Sequence, residues 1–168
     1  MKTSLSMIVS LIGTAGLAAP GLVSQAAELA KQGSFTGVYS WSSTGKAHEI
    51  RKDHVFVLGE STGTFFNDAG KGFLHQSSMW CAGAYDLRPD QPNLQGYCVA
   101  TDAQGDKIAL TWRCTSVPCK DADFEWMAGT GKYTGIRGKN KFSCSAPTYT
   151  PSGPSTGWCN WTARWELP

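Results

Sequence analysis

The run Ala128-Gly-Thr-Gly-Lys-Tyr-Thr-Gly-Ile-Arg-Gly-Lys-Asn-Lys-Phe-Ser-Cys144 decides how this chain is read. Gly129, Gly131, Gly135 and Gly138 punctuate it, with Tyr133, Ile136 and Phe142 between them. Glycine inside an extended run marks a bulge, a bend or a close backbone approach, and sheets that curl into barrels need such kinks at their corners. A phosphate-binding reading of Gly129-Thr-Gly-Lys132 fails. The glycine spacing is wrong, Tyr133 stands where a P-loop needs Ser or Thr, and no helix-forming segment follows. The stretch speaks for a β corner.

Outward from it, hydrophobic alternation of period two recurs and no segment after the N-terminal leader shows a 3.6 period. In the last strand Cys159, Trp161, Ala163, Trp165 and Leu167 face one way, and Asn160, Thr162, Arg164 and Glu166 the other. Upstream, Gly96–Thr101 and Lys107–Cys114 read as a hairpin across Asp102-Ala-Gln-Gly-Asp106, with Ile108, Leu110, Trp112 and Cys114 inward. Aspartate side chains bonding nearby backbone account for that loop. The EF-hand pattern is missing, so no Ca²⁺ site is expected there.

Earlier still, Phe35, Val38, Tyr39 and Trp41 read as a short first strand ended by Ser42-Ser-Thr-Gly45. His54–Glu60 reads as a second, turned by Ser61-Thr-Gly63. Gly72–Leu87 reads as one long run with Phe73, His75, Ser77, Met79, Cys81 and Tyr85 on one side. Many short strands, no helix and glycine corners predict an all-β chain. A single closed antiparallel barrel of about eight strands fits best, because closure removes sheet edges.

The N-terminus predicts export. Lys2, the apolar run Leu5–Ala19 and the small residues of Ser24-Gln25-Ala26 read as a signal peptide over residues 1–26, leaving a barrel domain over residues 27–168. A net charge of +2 with both signs interspersed argues against a nucleic-acid or membrane footprint. Six cysteines, all beyond the leader, point to three disulfides in an oxidising compartment, periplasmic or secreted. Of the many pairings possible we expect the sequential one: Cys81–Cys98, Cys114–Cys119 and Cys144–Cys159. Zinc is disfavoured by the absence of C-x-x-C, and no other metal or cofactor is implied.

Gly129-Thr-Gly-Lys-Tyr-Thr-Gly-Ile-Arg-Gly138, followed by Phe142 and a terminal aromatic strand, resembles the late strands of dirigent proteins and allene oxide cyclases. Gly96-Tyr-Cys-Val-Ala-Thr-Asp-Ala-Gln-Gly-Asp106 is similar to a run in small exported bacterial proteins of unknown function with the same barrel. The resemblance spans the C-terminal half and implies the allene oxide cyclase/dirigent-like barrel. Its members include a cyclase of an epoxy fatty acid and proteins that steer radical coupling. None of their catalytic residues can be placed on this chain, and fold alone assigns no activity.

Two functional readings follow. The first is an exported non-enzymatic barrel that binds a small apolar ligand or a protein partner. The second is an isomerase or cyclase acting on a small hydrophobic substrate inside the barrel, for which His75 and Glu60 are the candidate acid–base groups. Among seven tryptophans, Trp161 and Trp165 belong to the core, whereas Trp80 and Trp158, on the opposite sides of their strands, are the candidates for a ligand or partner surface.

Overall fold

The computed structural model describes residues 29–168, so the expected leader over residues 1–26 lies outside the described residues. Eight strands follow one another: β1 (Gln32–Arg51), β2 (His54–Asn67), β3 (Ser77–Leu87), β4 (Asn93–Thr101), β5 (Lys107–Cys114), β6 (Ala122–Gly129), β7 (Lys139–Thr148) and β8 (Pro154–Glu166). Each pairs antiparallel with the next, and β8 pairs back onto β1, closing the barrel. Closure is possible because β1 is long and shared unequally. Gln32–Thr44 pairs with β8, while the pairing with β2 runs from Gly37 to Arg51. That offset between its two edges is the stagger a closed sheet requires.

The length of β1 and β2 departs from the sequence expectation. Neither Ser42–Gly45 nor Ser61–Gly63 breaks its strand: Ser43 pairs with Ser61, and Gly45 with Gly59, in continuous register. The hairpin turns instead at Lys52-Asp53, where Asp53 adopts φ 66°, a left-handed conformation that Asp tolerates. Gly72–Leu87 is not one strand either. Residues 68–76 form a connection in which Leu74 and Gln76 have positive φ, so alternation cannot be carried through them. Buried Asn67 holds this connection, donating from Nδ2 to the Phe73 carbonyl (3.1 Å) and accepting from the Ala69 N–H (3.0 Å).

One end of the barrel is filled. Phe73 stacks on Trp165 (centroids 4.3 Å apart) and on Phe35 (5.0 Å), and meets Tyr133 edge-on (5.5 Å). Phe65, Trp126 and Trp161 continue the cluster toward mid-barrel. Offset and edge-to-face aromatic pairs of this kind add about 0.5–1.5 kcal/mol each beyond area burial.

The glycine-rich stretch supplies part of that plug. It ends β6, forms a short 3-10 turn (Gly131–Tyr133), buries Tyr133 and Ile136, and enters β7. Gly131 (φ 51°) and Gly135 (φ 79°) take conformations that side chains disfavour. The Tyr133 hydroxyl donates to Asp102 Oδ2 (3.0 Å), while Asp102 Oδ1 accepts from the N–H groups of Gln104 (2.9 Å) and Asp106 (3.1 Å). Lys132 completes the cluster with an ion pair to the same carboxylate. The aspartate-stabilised turn expected from sequence is therefore also the clamp on the barrel's closed end.

All three disulfides adopt the sequential pairing. Cys81 lies opposite Cys98 between β3 and β4, and Cys144 opposite Cys159 between β7 and β8. Cys114–Cys119 closes the loop after β5, and the Cys119 carbonyl accepts the Cys144 N–H (2.8 Å).

Two predictions follow from the packing. A Cβ at position 96 would strike the Ala82 carbonyl and lie 2.7 Å from Trp112 Cζ2, so Gly96→Ala should lower stability by about 1–3 kcal/mol in urea unfolding. Asp102 carries the pH dependence. Burial pushes its carboxyl up, but hydrogen bonds from Lys132, Tyr133 and Gln104 together outweigh that, leaving its pKa below the ordinary value. A carboxyl lowered by folding contributes stability above its unfolded pKa and loses it as pH falls through the folded one. Asp102→Asn should therefore melt below the native protein at neutral pH, with the gap in Tm narrowing below about pH 4.

Candidate functional site

The other end of the barrel is hollow, and glycine makes it so. Gly45, Gly59, Gly83 and Gly96 stand in register across β1–β4, and the next residue in that row is Trp112 on β5. All face inward, in phase with Val57, Cys81, Cys98 and Leu110 on the same strands. With no side chains on four adjacent strands, the Trp112 indole lies across the wall: a Cβ would come within 2.6 Å of its Cζ2 at Gly83 and 2.7 Å at Gly96. Trp41 lies likewise over Gly157 of β8, its directly paired residue, where a Cβ would fall 2.5 Å from Cζ2.

The space left is a cavity of about 300 Å³. Its floor is Leu110, Phe124 and Trp161, above the aromatic plug, and its walls carry Tyr39, Trp41, Tyr85 and Trp112. Val117-Pro118 from the β5–β6 loop and Tyr149–Pro151 from the β7–β8 loop frame the mouth. Among the described residues no Asp, Glu, His, Lys or Arg lines it.

Among the described residues its only ionisable groups are three phenols. Burial, with added repulsion from Tyr149 and Tyr39, pushes Tyr85 up to about 12. Tyr149 is raised by burial alone, and Tyr39 by burial partly offset by its hydrogen bond with Ser61 (3.3 Å). All three stay protonated and neutral across the physiological range. The cavity thus offers aromatic surface and neutral hydrogen-bonding groups, and no base.

The structure places the two acid–base candidates away from this cavity. His75 sits in the 68–76 connection with its ring edge-on to Phe66 (6.1 Å). Phe66 points outward while its neighbour Phe65 is buried in the core, so His75 lies outside the wall. The positive φ at Leu74 and Gln76 is what removes it from the interior face and buries Leu74 instead. Glu60 is exposed on the outer face of β2, opposite Ala82 of β3, facing a shallow trough beside Tyr97 and Arg113. The two are not brought together and neither reaches the cavity.

Trp80 and Trp158 are outward as expected, 42% and 40% exposed. The rows that join them run through Ser40, Ser42, Thr62 and Thr64 on β1 and β2, so they form no continuous apolar patch. A further polar cluster, His54 Nε2 on Asp86 Oδ1 (2.6 Å) with Arg88 on Oδ2 (3.1 Å), ties β2 to β3 at the open end without lining the cavity. Among the described residues no cluster of His, Cys, Asp or Glu could hold a metal ion, and no helix is long and apolar enough to cross a membrane.

The residues that define the site, Trp41, Tyr85, Trp112 and Tyr149, were not singled out from sequence. The usable signal was there in the inward phase of Gly59, Gly83 and Gly96, which becomes visible only once strand register is known.

No family model matches this chain, and no curated protein does. Among solved structures it is similar to the pterocarpan synthase dirigent protein GePTS1, with a TM-score of 0.52 and 10% identity over 81% of this chain and 92% of that one. At that identity the likeness speaks for architecture alone: this chain folds as a dirigent-like closed barrel.

Proposed function

We propose that this protein is an exported, non-enzymatic barrel that holds a small, uncharged, largely apolar ligand in the hollow end. The observation that carries the reading is the cavity itself: about 300 Å³, walled by indole, phenol and phenyl rings, with no charged side chain among the described residues. Sites of this size, with apolar walls and a few polar groups, are those that take small molecules. Three disulfides fit an oxidising compartment, and the leader-like N-terminus supports a bacterial periplasmic or secreted location.

The isomerase or cyclase alternative needs a group able to accept or deliver a proton near neutral pH. The phenols lining the cavity are pushed away from that range, and His75 and Glu60 face elsewhere. A protein-partner role would need an apolar surface patch, and the serine- and threonine-rich outer wall between Trp80 and Trp158 interrupts one.

Native mass spectrometry of the protein from an exporting host, before and after organic extraction, tests the reading. A mass excess that extraction removes is expected. Ala146→Trp, which places an indole at a half-buried position of the cavity lining, should abolish that adduct and weaken uptake of N-phenyl-1-naphthylamine about tenfold or more, with Tm little changed. A bare mass together with no probe uptake by the native protein would overturn it.

A further inference from the structure

The indoles inside the barrel are used in two ways. At the closed end they pack against other rings, Trp126 against Phe73 and Phe124, and Trp165 against Phe73 and Phe35. At the open end Tyr85 leans on Trp112 (centroids 5.7 Å apart, planes at 50°), and Trp41 meets no other ring among the described residues. Both Trp41 and Trp112 are half-buried and line the cavity. Each lies on bare glycine backbone, Trp112 over Gly96 and Gly83 and Trp41 over Gly157. A ring laid on backbone in this way has one face against the wall and the other toward the cavity.

The two indoles lie on opposite walls. In a closed ring of eight strands β4 is diametrically opposite β8, and Trp112 covers the first where Trp41 covers the second. They also lie at one level. The glycine row that reaches Trp112 continues through Phe124 and Asn140 and, in the register of Lys141 with Thr162, to Ala163. It re-enters β1 at Phe35, ten residues from its start at Gly45. Halfway round, on β5, it is therefore level with Ser40 of β1, the neighbour of Trp41.

The span between them suits one ring. Eight strands about 4.8 Å apart and tilted about 40° enclose a circle about 16 Å across. The inward pleat and a van der Waals contact take about 4–4.5 Å from each side, leaving about 7–8 Å between the indole planes. A flat ring touching both needs about 7–8 Å. Resting on the ligand-binding reading above, we infer that Trp41 and Trp112 are the two sides of a slot that selects planar aromatic ligands, held face to face between the indoles. Area burial alone would take a saturated molecule of the same skeleton equally well. Stacking on two indole faces would not.

2-Naphthol and trans-decahydro-2-naphthol share one carbon skeleton and one hydroxyl, the first flat and aromatic, the second puckered and saturated. Equilibrium dialysis against the native protein should give 2-naphthol an affinity about tenfold or more above the saturated alcohol, the size of two stacked contacts. Trp41→Leu and Trp112→Leu each remove one face. Each should cut that preference to about threefold while the saturated alcohol still binds. In the native protein, nuclear Overhauser contacts should join bound 2-naphthol to both indoles, a readout that needs no variant. Equal affinity for the two alcohols, or contacts to one indole only, would overturn the slot while leaving the ligand-binding reading intact. So would a full preference surviving in both variants. Failure of both alcohols to bind would also overturn the slot, and failure of N-phenyl-1-naphthylamine as well would remove the ligand-binding reading with it.

Discussion

Large rings inside a narrow barrel need glycine beneath them, and this structure is organised by that requirement. An eight-stranded barrel has room for little more than its own side chains, yet this one carries Phe35, Phe65, Trp41, Trp112, Trp126, Trp161 and Trp165 facing inward. The space comes from across the sheet. Trp165 lies over its paired residue Gly33, Phe65 over Gly37, Trp41 over Gly157, and Trp112 over both Gly96 and Gly83. Each indole or phenyl covers bare backbone that would otherwise weaken the strand, which is the recognised remedy for glycine in a sheet. The same pairing fixes register. A slip of one residue would set ring against side chain and turn the inward set outward.

That device produces a solid end and a hollow end from one set of materials. At the solid end, rings from several strands and from the 68–76 and 130–138 connections meet one another and fill the space. At the hollow end, four glycines stand in one row, of which Trp112 covers Gly83 and Gly96, the Tyr85 ring lies beside Gly59, and Gly45 meets Val57 and backbone, so two rings stand where four side chains are vacated. The cavity is therefore a consequence of where glycine and tryptophan fall in register. It owes nothing to loop conformation beyond the framing of its mouth.

Much of this could be read before any coordinates. The alternation Cys159–Leu167, the hairpin around Asp102–Asp106 and the glycine corner after Ala128 carry the barrel, and the neighbouring-strand logic carries the disulfides. What could not be read turns on glycine's two meanings. Gly45 and Gly63 look like turn residues beside serine and threonine, but each lies mid-strand against close backbone, Gly63 against the Ser40 carbonyl and Gly45 against Pro151 and Leu58. Turn chemistry and close approach call for the same residue, and only pairing distinguishes them. His75 is hard to place from sequence for a related reason. Alternation does not carry through Leu74 and Gln76, whose positive φ no local sequence pattern announces in non-glycine residues.

The placement of the disulfides follows from the same asymmetry. Five of the six cysteines line the cavity, the sixth, Cys114, is buried at the same end, and none lies in the aromatic plug. Closed-end strands are held across the barrel by ring-on-ring contacts. Around the cavity ring contacts lie along its wall and floor, as Tyr85 on Trp112 (5.7 Å) and Phe124 on Trp161 (4.4 Å), and strands facing the empty space rely on their ladder hydrogen bonds and whatever joins them to their neighbours. Cys81–Cys98 ties β3 to β4, Cys144–Cys159 ties β7 to β8, and Cys114–Cys119 fixes the loop that leads from β5 to β6 and bonds to β7. A constraint of this kind is worth about 2–4 kcal/mol apiece, enough to replace a few missing core contacts. Covalent staples around the void, in place of packing through it, are what allow the barrel to stay folded with its interior open.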